Sequence, residues 1–397
     1  MLFLSSERST RYNQQVNLSR NYLYAFFKDF SFFTAVIVPF FTDWGHLSLL
    51  QVQLIQSWFS FWVFVLEIPT GAVADKIGRK TALAIGSSVT GLAVLIYGTF
   101  PSIAIFLVAE FLFALGYTLT SGADQALLYD TLKEKNKEGE SKKVLGRADA
   151  FHKAGIMLAA PFGSLIAAQY GINAPMLSSA IPFFIAAIIG WSITEPRVNS
   201  ESQSPKYGQI VKKGFQTIRH NKVVRTLAID SLLVSGAAYF LIWLNQPLQL
   251  FVGIPVSYLG FTYALMMGIE ILVLSNFTFF EKILGTGNSY IKKTALLTSL
   301  GFFAAAITPS YWTVALFILL VGGFGYTRAT YITSIANKYI SSTDRATVLS
   351  SISMLRRFAI VMLNPVIGFA ADHSLSLALF LVGLLPLATF LIKEEIE

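Results

Sequence analysis

The chain has 397 residues, of which 54% are hydrophobic, 14% aromatic and only 13% charged, with no cysteine and a formal net charge of +8. Soluble domains carry about 25% charged residues, so a water-soluble fold of this length is excluded. The missing cysteine removes disulfide scaffolds, thiolate metal sites and cysteine nucleophiles, and the four histidines stand singly, without ligand spacing.

A helix that crosses a bilayer needs about 20 mostly apolar residues. Apolar runs of that size occur near 22–42, 50–74, 81–100, 102–128, 148–169 and 174–193. A second series follows near 226–250, 256–280, 290–308, 311–337, 346–371 and 375–392. Stretches such as Pro182–Trp191 are continuously apolar, without the two-residue alternation of a membrane β-barrel. The expected fold is therefore all-α and integral to the membrane. Its expected domains are a six-helix bundle over 1–193, a linker over 194–225 and a second six-helix bundle over 226–397.

Lysine and arginine set orientation. With residue 1 placed inside, the inner segments hold 25 of the 30 basic residues and the outer loops hold none. Lys28, Lys153, Arg328, Arg356 and Arg357 fall inside spans. Both termini are thus expected in the cytoplasm, and the basic balance is accounted for by topology without nucleic acid. The first apolar stretch is of full span length with no cleavage site behind it, so no signal peptide is expected. In the linker, Ile210, Val211, Phe215 and Ile218 can share one helix face within Tyr207–Asn221, flanked by Lys212, Lys213 and Arg219. That suits a helix lying on the cytoplasmic leaflet, and a plain tether suits the segment equally.

The halves resemble each other. Gly116-Tyr117-Thr118 in the fourth span matches Gly325-Tyr326-Thr327 in the tenth, and Arg147-Ala148 before the fifth matches Arg345-Ala346 before the eleventh. Between spans two and three lies Gly71-Ala-Val-Ala-Asp75-Lys-Ile-Gly78-Arg79-Lys80. Gly71 permits a close helix approach, Gly78 a tight turn, and Asp75 and Arg79 directional charge contacts. These ten residues resemble the GxxxDxxGRK loop signature of the major facilitator superfamily. The span count and the duplication extend the resemblance over the whole chain.

The resemblance implies two bundles related by a pseudo-two-fold axis that expose a central cavity alternately to each side. It also implies that Asp75 contacts the start of the eleventh helix and that Arg79 contacts Asp130. The second-half counterpart, Glu281–Gly285, keeps an acid and loses the GRK portion, so a one-sided lock is expected. Around Gly155–Ser164 the fifth span resembles the GxxxGPxxGG signature of proton-exchanging exporters, with one extra residue and alanines for glycines.

Ionisable groups within spans are costly and are functional candidates by default. Glu110, Tyr117, Ser121 and Asp124 recur at spacings of 7, 4 and 3, one helical stripe. Glu110 is the first candidate for proton coupling, with Asp29 and Glu67 behind it. Lys28 can snorkel, and His152-Lys153 is expected at the interface. On the eleventh span Arg357 shares a stripe with Ser350, Ser353 and Asn364 and is expected to face the cavity, where the second-half arginines would hold an anionic or polar substrate group, while Arg356 is expected to pair with an acid on a neighbouring helix. Arg328 and Glu270 are candidates for substrate contact or for a structural ion pair. Tyr239, Trp243 and Gln246, in line with Ser235, are expected to line the cavity.

The sequence thus describes a secondary active transporter, expected as a monomer in a prokaryotic inner membrane. Its expected partners are a small amphipathic solute, protons and the lipid bilayer. No cofactor, metal or nucleic acid is expected, and no nucleotide-binding loop occurs. Efflux by exchange for protons is the leading direction; import, facilitated flow and lipid flipping are the alternatives. An enzyme would need a concentrated catalytic set that this sequence lacks.

Overall fold

A computed structural model describes residues 17–134, 136–196, 216–340 and 345–392, without the side chains of 345–347. Every described element is helical. In a hydrocarbon environment the backbone must satisfy its own hydrogen bonds, which these apolar runs do as helices. In chain order the longer ones are α1 (Asn17–Trp44), α2 (Leu49–Ile77), α3 (Arg79–Tyr97), α4 (Ile103–Lys133), α5 (Glu138–Tyr170) and α6 (Ala174–Ser192). The second set is α7 (Lys222–Phe251), α8 (Val256–Ser275), α9 (Gly287–Ile307), α10 (Tyr311–Tyr339), α11 (Val348–His373) and α12 (Leu375–Leu391). Ten of the twelve are long and apolar enough to cross a membrane on composition alone. Of the other two, α9 carries Lys292 and Lys293 near its start and α12 is short.

The chain forms two compact units, Met1–His46 with Trp58–Ser202, and Leu47–Ser57 with Gln203–Glu397. The first turns of α2 group with the second unit: Asp372 accepts hydrogen bonds from Leu49 N (2.7 Å) and Leu50 N (3.2 Å), capping the start of α2. Of the expected linker helix, 207–215 lies outside the described residues. Ile218 is buried in a core with Val224, Leu227, Ile335 and Val348, so it packs against protein instead of lipid.

The first unit is held by small residues. A Cβ on Gly86 of α3 would meet the Gly116 carbonyl oxygen of α4 at 2.8 Å, and a Cβ on Gly116 would meet that of Gly86 at 2.7 Å. Only glycine on both sides permits this approach, the packing device of membrane helices. Tyr24, Leu83, Leu127 and Ala186 form its core. Gly155 of α5 sits against the backbone of Phe26, and Gly163 against that of Phe32, so the fifth-span glycines seat α5 on α1.

Two of these helices are interrupted. In α1 the regular helix stops at Asp29 and resumes beyond Phe32, where Phe32 N and Phe33 N donate to Ser179 Oγ of α6 (2.9 and 3.3 Å). In α4 the first segment, Ile103–Thr120, ends on extended Ser121, and Gly122 takes φ +79° before Ala123–Lys133 begins. A positive φ of this kind is natural to glycine.

Candidate functional site

The two interruptions face one cavity of 540 Å³, lined by the first unit. Lys28 and Asp29 stand at the end of the first segment of α1, and Asp124 opens the second segment of α4. Lys28 Nζ donates to Asp124 Oδ2 at 2.6 Å and lies 3.9 Å from Asp29 Oδ2. Asp29 Oδ2 also meets His152 Nδ1 of α5. Asp149, one turn before His152, lines the same cavity and has no hydrogen-bond or ion-pair partner among the described residues. A cation, an imidazole and three carboxylates therefore share one space, walled by Phe33, Phe59, Phe113 and Tyr117. The pairs are half-buried, so a small molecule or water can reach them.

This arrangement revises several expectations. Lys28 pairs with Asp124, and His152 binds Asp29, two contacts that the sequence did not reveal. Tyr117, Ser121 and Asp124 reach the cavity; Glu110 does not line it. Glu110 is 6% exposed, with no hydrogen-bond or ion-pair partner among the described residues. Glu67 lies exposed on α2, away from the cavity.

The second unit contains a different charge arrangement. Arg328 of α10 is 1% exposed and grips Asp230 of α7 through two bonds, Nε to Oδ2 at 2.8 Å and Nη2 to Oδ1 at 2.6 Å. Its Nη2 also donates to Ile291 O (2.8 Å), and its Nη1 to Thr294 Oγ1. The guanidinium is consumed by protein groups, and its partner is Asp230, not Glu270. Glu270 instead lies within electrostatic reach of Tyr263 and Tyr326. Trp243 and Gln246 are buried inside the unit, and the Tyr239 ring lies tilted against that of Trp243 with centroids 6.3 Å apart.

Arg357 is exposed, and neither it nor Arg356 has a carboxylate within ion-pair distance among the described residues, against the pairing expected for Arg356. Asn364 is buried and donates to Ser57 Oγ at 3.3 Å.

In the loop motif, Arg79 Nη1 meets Asp130 Oδ2. Gly78 turns at φ +93°, beside the Glu195 carboxylate. Glu195, unremarked in the sequence, accepts from Arg79 N (2.7 Å) and Lys80 N (2.8 Å) and so caps α3. Lys80 Nζ lies 5.8 Å from the Trp191 ring. The close approach expected at Gly71 is absent, since a Cβ there would meet open space. Asp75 is exposed, and residues 341–344, which precede the eleventh helix, lie outside the described residues. In the second unit Gly285 repeats the turn at φ +90°, and Glu281 accepts from the Tyr331 hydroxyl (3.1 Å) in place of an ion pair.

Twelve apolar helices in two bundles, a glycine-turned charged loop and a cavity at broken helices define a membrane transporter. The chain belongs to the Major Facilitator Superfamily, whose family model matches residues 22–364. It is a family of transporters, not of enzymes. Among solved structures, the nucleoside transporter NupG superposes with a TM-score of 0.79 at 14% identity, covering 95% of this chain and 99% of that one. A bacterial homologue of the human lysosomal transporter Spinster, inward-facing and occupied, gives 0.73 at 18%, covering 90% and 82%. A D-xylose–proton symporter gives 0.72 at 12%, covering 96% and 97%. These identities carry the fold alone. No curated protein matches the chain.

Proposed function

We propose that the chain is a secondary active transporter that exports a small amphipathic solute in exchange for protons, by alternating access across a prokaryotic inner membrane. Its bundles are taken as 1–193 and 226–397, its linker 194–225 and both termini as cytoplasmic, following the one-sided distribution of its basic residues. The observation that carries the reading is the cavity at the breaks of α1 and α4, where Lys28, Asp29, Asp124 and His152 converge. Protons and solute meet there at the same carboxylates. When occupancy by one excludes the other, the result is exchange.

Asp29 and His152 form the proton-handling pair, with Lys28 and Asp124 as the switchable ion pair beside it. Glu110, buried with no hydrogen-bond or ion-pair partner among the described residues, is a second proton station suited to binding and releasing a proton as its surroundings alternate. The Arg79–Asp130 contact and the Glu195 cap rigidify the loop between α2 and α3. On this reading Tyr117 contacts solute from the first bundle. Glu270, Tyr239 and, at a polar group of the solute, Arg357 act from the second; Trp243 and Gln246 pack inside it, and Arg328 is structural.

The test is flux in proteoliposomes holding the purified chain, with solutes chosen by ligand-induced thermal shift and an imposed pH gradient. Exchange requires that an inward proton gradient drive solute outward. Inward solute movement along with protons would establish symport instead. Flux that ignores the gradient would leave facilitated flow, and lipid scrambling without solute flux would leave a flippase.

A further inference from the structure

We infer that the first-bundle cavity is a site for an organic cation, an ammonium group carried on an aromatic or aliphatic body. The inference rests on the transporter reading and names its substrate class. Three independent features of the cavity agree.

The first is its charge balance. The ionisable groups lining it are Lys28, His152 and three aspartates, Asp29, Asp124 and Asp149. Lys28 offsets one carboxylate and His152 at most a second. Asp149, which has no hydrogen bond or ion pair among the described residues and faces His152 electrostatically, adds a third carboxylate, so acids outnumber cationic groups around this space.

The second is the backbone. The first segments of α1 and α4 both end at the cavity, near Asp29 and Thr120. A helix C-terminus presents carbonyl oxygens and about half a negative charge. Two such ends favour a cation over an anion in the same place. The opposite end, the start of Ala123–Lys133, is met by the chain's own Asp124, whose Oδ1 accepts from Gln125 N at 2.7 Å.

The third is that the site already holds an ammonium. Lys28 Nζ sits against the Asp124 carboxylate, 6.0 Å from the centroid of the Tyr24 ring. Carboxylate below and aromatic face beside is the combination that recognises ammonium groups. Lys28 is the tethered version of the proposed ligand. The remaining walls, Phe33, Phe59, Phe113, Tyr117 and Phe183, are apolar surface for the body of the molecule. A volume of 540 Å³ lies within the range of small-ligand pockets, about 300–1,000 Å³.

An anionic solute has no comparable seat here. The lining of this cavity includes no arginine.

The test is equilibrium binding to the purified full-length chain in micelles at pH 7, with no gradient. Three probes share one ring and differ in charge: tryptamine, tryptophol and indole-3-acetate. Tryptamine should bind about tenfold or more tightly than tryptophol, a difference of about 1.4 kcal/mol, and indole-3-acetate most weakly. Asp149→Asn, an exposed position whose replacement removes no bond, should narrow the preference for tryptamine. Lys28→Met, which deletes the tethered ammonium, should strengthen tryptamine binding; a purely structural Lys28 would not produce that gain. Asp43→Asn, outside the cavity, should change nothing.

Equal affinity for the three probes, preference for indole-3-acetate, no tryptamine binding up to millimolar concentration, or an unaltered preference in Asp149→Asn would each overturn the inference. These readouts are separate from flux. Tryptamine binding without gradient-driven movement would sink the transport reading and leave the site, whereas proton-driven flux of an uncharged solute with no amine binding would do the reverse.

Discussion

The ion pair between Asp230 and Arg328 is predicted to hold the second bundle together and to contribute nothing directly to solute binding. In Asp230→Asn the guanidinium of Arg328, whose side chain is 0% exposed, loses the charge that faces it. Removing one member of a buried pair costs roughly 3–5 kcal/mol, because the other charge is left without compensation. Two of its contacts, to Ile291 O and Thr294 Oγ1, survive the change, so the lower end, about 3 kcal/mol, is expected. Replacing both residues by apolar side chains, Asp230→Leu with Arg328→Met, removes the desolvation penalty along with the attraction. That double variant should recover to within about 1 kcal/mol of the original. Equilibrium unfolding in mixed micelles, arranged as a double-mutant cycle, measures both quantities. A single-variant cost below about 1 kcal/mol, or a double variant no more stable than the singles, would refute the reasoning. So would loss of solute binding in a fully stable double variant, which would make Arg328 a substrate contact.

Glu110→Gln should leave stability within about 1 kcal/mol, since no partner is lost, while sharply reducing transport driven by a pH gradient; unaltered gradient-driven flux removes Glu110 from the coupling scheme. Gly86→Ala should destabilise by about 1–3 kcal/mol through overpacking against the Gly116 carbonyl, whereas Gly71→Ala should leave the melting temperature unmoved, as its Cβ meets nothing. Equal melting temperatures for the two variants would contradict the packing described between α3 and α4. Glu195→Ala should cost about 1 kcal/mol by uncapping α3, with partial recovery in Glu195→Gln; denaturation midpoints equal to the parent's would show that the cap is idle.

The twelve helices could be read from the sequence because hydropathy depends on composition over some 20 residues and needs no tertiary information. The loop between α2 and α3 was legible because its motif is local; the contact of Arg79 with Asp130, 51 residues away, followed only from the family resemblance that the motif carries. Its Gly71 was not, because a glycine spacing states that an approach is possible and not that a neighbour arrives. The cavity was legible only in part. A stripe through Glu110, Tyr117, Ser121 and Asp124 assumes one unbroken helical period, and α4 breaks at Ser121-Gly122. The break in α1 after Asp29 likewise places Lys28, Asp29 and His152 around one space, which no spacing within a single helix reveals. Glycine at Gly122 was the one available sign. Partner choice was the least legible feature. Arg328 takes Asp230 over Glu270 because of how α7, α9 and α10 pack, and that information is spread across three segments distant in sequence.

The central claim is that the carboxylates of the first-bundle cavity couple solute to protons, and the most direct test is proton movement itself. Proteoliposomes with an internal pH-sensitive dye should show protons crossing against each solute pulse in the original chain. In Asp29→Asn that proton movement should vanish. Solute-driven proton movement persisting in Asp29→Asn at the original ratio would contradict the account.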